Sequence, residues 1–236
     1  MSTRRKVRLV YEAEKEEVIE TGRMLDRYGL IALSGGNVSL RIGGHVLVTP
    51  SGMMYERLLP RDVLVMTLDG RVVEGERRPS VDTEALLYIY HARPEINAVI
   101  HTHQPYATGL GLSMDELPCC VTTMANAVKG PVRVAPYISA ATADMGRLAV
   151  ENLGGSLAVI LKQHGVVAIG ETLRQALYAC VYLEEAAKTY AIARATGDDP
   201  DTLTDQQVRE AVTVFDSYGQ ADAGTDFRST SALRSG

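Results

Sequence analysis

Apolar positions recur at helical spacing over residues 11–28, where Val18, Ile19, Met24 and Leu25 fall on or near one face. The period then changes. Val38–Ile42 and His45–Thr49 alternate as strands do, and Gly43-Gly44 between them is a hairpin turn signal. Val63–Leu68 and Arg71–Val73 repeat the pattern around Asp69-Gly70. A helix over about 82–92 follows Pro79-Ser80 and is stopped by Arg93-Pro94. Ala98–His103 predicts a strand, 104–111 a short helix, 132–134 a short strand, and 142–152 a helix ending at Gly154-Gly155. Ala158–Leu161 and Val166–Ile169 predict strands on either side of Lys162–Gly165, and 173–196 a long helix. Thr204 and Gln207 form a capping box for a last helix reaching Tyr218. Residues 219–236 are small and polar and predict a flexible tail.

Helices and strands mix throughout, with no linker and no internal repeat. The pattern predicts one α/β domain over residues 1–218, a mixed sheet covered by helices on both faces. A chain of 236 residues with 46% hydrophobic content can bury a substantial core. The net charge of −5, with no cationic block beyond Arg4–Lys6, argues against nucleic-acid binding. No apolar run approaches the roughly 18 residues of a membrane span. The charged N-terminus soon turns Glu-rich, unlike a secretory leader. Cys119 and Cys120 are adjacent and Cys180 lies in an apolar helical pattern, so the three cysteines form no disulfide framework. Reduced thiols and a cytoplasmic setting are the expectation.

One short stretch changes this picture. Val99-Ile100-His101-Thr102-His103 places two of the five histidines one residue apart at the end of an apolar run. Residues i and i+2 of a strand point to the same face, so the two imidazoles can converge on one ion. Zinc takes such nitrogen ligands at about 2.0–2.1 Å, usually with a further His or carboxylate. His164 also sits at a strand end, with Gly165 beside it allowing close backbone approach, and Asp82 opens a helix. Three nitrogens and one carboxylate make a divalent-metal site. His45 and His91 read as surface or packing residues.

A second group is rich in glycine and short polar side chains. Ser34–Asn37 and Thr49–Gly52 each expose backbone N–H groups, and Ser80 precedes a helix. Such loops can cradle a small anion as well as make turns. No nucleophile motif of a serine hydrolase and no nucleotide-binding fingerprint is present.

Taken in order, "SGGNVSLR", "VTPSGMMYE", "RPSVDTE", "INAVIHTHQPYA", "VAPY", "LKQHGVVAIG" and "FDSYG" resemble the class II aldolase/epimerase family over about residues 12–219. The resemblance implies one α/β domain with a central antiparallel-rich sheet between helical layers. It also implies a homotetramer with active sites at subunit interfaces and a bound Zn²⁺, or another divalent ion such as Mn²⁺ or Co²⁺. By position, His101, His103 and His164 are the implied histidine ligands. Asp82 is the implied fourth ligand or acid/base, Asn37, Ser51, Gly52 and Ser80 contact phosphate, and Tyr218 is a catalytic tyrosine that reaches a neighbouring subunit's site.

The chain departs from the family pattern at three places. Val81 stands where a second phosphate-binding serine is usual. Asn126 stands where the epimerase branch has a catalytic acid, and Thr123 where the aldolase branch has a tyrosine. The expected activity is metal-dependent retro-aldol cleavage of a ketose or ketose phosphate through a metal-stabilised enediolate, giving dihydroxyacetone phosphate or a related ketone and an aldehyde. The rivals are a ribulose-phosphate 4-epimerase, a decarboxylase of a 3-oxo sugar acid phosphate, and a non-catalytic module like the adducin head. Retention of all three histidines argues against the last.

Overall fold

The computed structural model describes residues 11–197 and 199–215. In chain order the elements are α1 (Glu12–Arg27), β1 (Asn37–Ile42), β2 (His45–Val48), β3 (Leu64–Thr67), β4 (Val72–Glu74), α2 (Thr83–Ala92), β5 (Ala98–Thr102), α3 (Pro105–Leu110), β6 (Glu116–Leu117), α4 (Thr122–Val128), β7 (Val132–Ala135), α5 (Ala143–Leu153), β8 (Ala158–Leu161), β9 (Gly165–Gly170), α6 (Leu173–Arg194) and α7 (Asp205–Phe215). The strands form one sheet in the order β4-β3-β2-β1-β5-β9-β8-β7-β6. Neighbours are antiparallel except β7 and β8, which run parallel.

Side-chain alternation along the strands divides the interior in two. Val38, Ala98, Ile100, Val166 and Ala168 pack with Leu25 of α1, Met124 of α4 and Leu183 of α6. Val46, Val99, Val167 and Ile169 pack with Leu86 and Ile89 of α2 and Met145 and Ala149 of α5. Every residue of β5, β8 and β9 is buried, as expected of central strands covered on both faces. The two edge strands, β4 and β6, are short, which limits pairing with other chains.

This layering positions the chemistry. On β5, His101 shares its face with Val99, toward α2 and α5, while Thr102 shares the other face with Ile100. The end of β5 lies between the start of β1, where Asn37 opposes His101, and the start of β9, where Val166 opposes Thr102.

The predicted elements are found with small shifts at their ends. The strand over 98–103 stops at Thr102, and Asp82 and Thr142 are N-cap residues rather than first helical residues. The Thr204–Gln207 capping box forms, with Gln207 N donating to Thr204 Oγ1 at 3.3 Å and Thr204 N to Gln207 Oε1 at 2.9 Å. Tyr218 and residues 219–236 lie outside the described residues. Helix α4 was not expected, because seven residues beginning Thr-Thr are too few to show a 3.6-residue period. The three cysteines are free, and Cys180 is fully buried in the core.

Candidate metal centre and its surroundings

His101, His103 and His164 meet at one end of the sheet, each with a ring nitrogen within 4.8 Å of the other two. His101 is buried and its Nδ1 lies 2.9 Å from the carbonyl oxygen of Val166 on β9. A carbonyl can only accept, so Nδ1 carries the proton and Nε2 is the unprotonated nitrogen with the lone pair. That Nε2 faces His103 Nε2 at 3.1 Å. His164 arrives from the β8–β9 turn, where Gln163 adopts a left-handed backbone (φ 62°) and His164 N donates to Leu161 O at 3.1 Å. Three-residue hairpin turns commonly use one left-handed position.

Two glycines make room for this packing. A Cβ on Gly165 would lie 2.1 Å from Thr102 O and 3.2 Å from His101 Cε1. One on Gly36 would lie 2.4 Å from His101 O, and its φ of 70° is itself one that side chains disfavour.

Burial holds the cluster neutral. It pushes His101 down to about 3, helped by His164 and then His103. His103 and His164 are also lowered, chiefly by desolvation, while the Asp82 carboxylate pulls both back up. Neutral imidazoles are the form that binds metals. In metal-free protein the linkage has a definite sign. Below its ordinary value of about 6.5 the unfolded chain protonates His101 while the folded chain does not. Stability is therefore independent of this residue above about pH 6.5 and falls as pH drops, by at most about 1.4 kcal/mol per pH unit. Denaturation of chelator-treated protein at pH 7 and pH 5 checks this, and His101→Asn should lose that part of the slope.

Asp82 is buried beside the cluster but is not part of the tight nitrogen set. Its Oδ2 accepts from Asn37 Nδ2 at 2.9 Å and its Oδ1 from Ala141 N at 3.3 Å. Asn37 Nδ2 also donates to Ser80 Oγ at 3.1 Å, and Asp82 N donates to the same oxygen at 3.3 Å. A bridge between Pro50 and Pro79, with Ser51 N donating to Arg78 O at 2.9 Å, brings Thr49–Gly52 alongside Ser80. Asn37, Ser51, Gly52 and Ser80 therefore lie together, next to the histidines through Asn37. Val81 is exposed, Asn126 is buried in α4, and Thr123 is exposed on the same helix. His45 bonds Tyr11 OH and His91 bonds Leu68 O, as packing residues do.

Sequence reasoning missed Gln104 and Glu184, which hold the chain just after His103. A signal existed for Glu184 alone, which falls four residues after Cys180 on an otherwise apolar face of the long helix; its partners, 77 and 78 residues away, had none.

A nine-stranded, mostly antiparallel sheet carrying three converging imidazoles at its strand ends defines a type of protein that comparison makes specific. Residues 16–191 match the family described as Class II Aldolase and Adducin N-terminal domain, and the chain belongs to it. A 5-deoxy-D-ribulose 1-phosphate aldolase of Bacillus thuringiensis serovar kurstaki is 34% identical over 215 residues, covering 90% of this chain and 100% of that one. The structure of an L-fuculose 1-phosphate aldolase superposes with a TM-score of 0.82 at 32% identity, over 88% of this chain and 98% of that one. The L-fuculose-1-phosphate aldolase of Thermus thermophilus gives 0.71 at 28% identity, over 80% and 98%. The chain is an enzyme of this aldolase type. No helix among the described residues is long and apolar enough to cross a membrane.

Proposed function

We propose that this chain is a divalent-metal-dependent aldolase that cleaves a ketose 1-phosphate to dihydroxyacetone phosphate and an aldehyde. The observation that carries the reading is the convergence of His101, His103 and His164, with the Nε2 lone pair of His101 turned into the cluster. Three neutral imidazoles suit zinc, and Mn²⁺ or Co²⁺ are the other candidates. A cation bound there would supply Lewis acidity for the charge that gathers on the ketone half as the carbon–carbon bond breaks.

The rest falls to protein groups. Retro-aldol cleavage needs a base for the hydroxyl next to the breaking bond. Asp82 fits that role: its Oδ2 is held by Asn37, while Oδ1 keeps only the longer contact to Ala141 N. The proton would reside on Oδ1. The alternative part for Asp82, a fourth ligand, draws support from its electrostatic pull on both His103 and His164. Tyr218, outside the described residues, is proposed as a further proton carrier, acting at a neighbouring subunit's site in a homotetramer.

The phosphate falls to Asn37, Ser51, Gly52 and Ser80. Ser80 Oγ already accepts from Asn37 and from Asp82 N, which leaves its own proton to donate to a phosphate oxygen. Asn37 Oδ1 is buried and accepts nothing among the described residues, which leaves an unused acceptor beside Ser80 and Asp82. Val81 offers no such donor, so Ser80 is the one hydroxyl donor that its loop contributes to the cradle. The nature of the relatives supports a sugar phosphate substrate over an unphosphorylated one.

The test is a panel assay after metal analysis. Ketose 1-phosphates, 5-deoxy-D-ribulose 1-phosphate among them, and ribulose 5-phosphate are offered with and without chelator. Chelator-sensitive release of dihydroxyacetone phosphate is expected. Epimerised pentulose phosphate without cleavage products would transfer the reading to the epimerase, and full activity without metal would reject the metal.

A further inference from the structure

The two metal-site histidines on either side of Thr102 are held differently. His101 is fixed through its own ring, by the bond to Val166 O. The ring of His103 is exposed, and its hydrogen-bond partner among the described residues is His101 Nε2. Its orientation therefore depends on where its backbone is put.

That backbone is tied to α6. Gln104, fully buried, accepts from Thr102 Oγ1 at 2.7 Å and donates through Nε2 to Cys180 O at 3.3 Å. One turn further along α6, the buried Glu184 accepts from Tyr106 N at 2.9 Å and from Ala107 N at 3.0 Å, one with each carboxylate oxygen. These are the first N–H groups of α3. Pro105 has none, and Gln104 gives the helix no side-chain cap. A carboxylate from another helix thus does the work of the missing cap, at the end where a helix favours negative charge. A local Ser at the cap position would satisfy one of these N–H groups without burying a charge. What the distant carboxylate adds is a fixed place for the start of α3, and so for His103, relative to the helix that packs on β5 and β9.

We infer that Glu184 is a positioning residue for His103 as a metal ligand, which rests on the metal reading above. The test uses Co²⁺ as the probe, because its visible bands report ligand geometry. Metal-free wild type, Glu184→Gln, Glu184→Ala and Thr172→Ala are titrated in competition with a coloured chelator, and thermal unfolding is followed alongside. Thr172→Ala removes the cap of α6, where Thr172 Oγ1 accepts from Gln175 N at 3.2 Å, and serves as a control for plain destabilisation. Both Glu184 variants should bind Co²⁺ about 10–100-fold more weakly, with altered bands, as loss of an outer support for a ligand does. Thr172→Ala should lower the melting temperature and leave both unchanged.

Wild-type affinity and bands in Glu184→Gln would overturn the inference, whatever the melting temperature. So would an equal loss in Thr172→Ala, or failure of both Glu184 variants to fold, since the residue would then serve the fold itself. Wild type that binds no Co²⁺ would sink the metal reading and this inference with it. Tight wild-type binding with indifferent variants would sink the inference alone.

Discussion

Exchange of His101 for alanine should reduce metal binding and turnover together, each by more than about 100-fold, the upper end of what loss of a mere supporting residue costs. The expectation rests on its place in the sheet. His101 is fully enclosed, its ring is fixed through Nδ1 to Val166 O, and its Nε2 stands 3.1 Å from that of His103. Alanine removes the one imidazole whose direction is set by the sheet, and the two outer histidines are left without the member that both touch. Metal content after dialysis and release of dihydroxyacetone phosphate are the measurements, with circular dichroism to confirm the fold. A variant that keeps its metal and its rate would end the metal proposal.

A single methyl group at Gly165 should do comparable damage by a different route. The added Cβ would meet Thr102 O at 2.1 Å, with His103 Cδ2 at 3.1 Å and His101 Cε1 at 3.2 Å. The nearest contact is backbone of a central strand, so relief requires β5 and β9 to separate where the histidines are mounted. Overpacking of this kind costs about 1–3 kcal/mol, and the displaced rings should bind metal at least about tenfold more weakly. Gly44→Ala is the matched control: nothing lies within 4 Å of its Cβ position, and its effect should stay within about 0.5 kcal/mol. Urea denaturation and metal titration decide the matter. Gly165→Ala as stable as the control would show that the strand junction has more freedom than these contacts allow.

Much of this was legible in the sequence, for reasons that differ by element. The i, i+2 spacing of His101 and His103 is a one-strand property, and strand periodicity alone aims them together. The long α6 and the β1–β2 hairpin carry periodicity and a Gly-Gly turn, so their ends fell within a few residues. What the sequence hid depends on tertiary contacts. Asp82 stands out in the sequence, but the groups that hold its carboxylate, Asn37 Nδ2 and Ala141 N, are joined to it only by the fold. Glu184 and the start of α3 are 77 and 78 residues apart, a separation that no local pattern reports. Helix α4 lacked the length to announce itself.

The pairing of Asn37 with His101 across β1 and β5 acts as a ruler. The spacing between the proposed phosphate cradle and the metal cluster is fixed there by backbone hydrogen bonds, not by the reach of side chains. Sheet pairing has a period of two, so a one-residue slip of β1 would turn Asn37 away, and one of β5 would drive His101 into the layer beneath α6. Insertions thus meet different fates in two neighbouring hairpins. An insertion at the β3–β4 turn, Asp69-Gly70, should be tolerated better, because it lies toward the sheet's edge, than one between Asn37 and Ile42, which would break the pairing that sets this spacing.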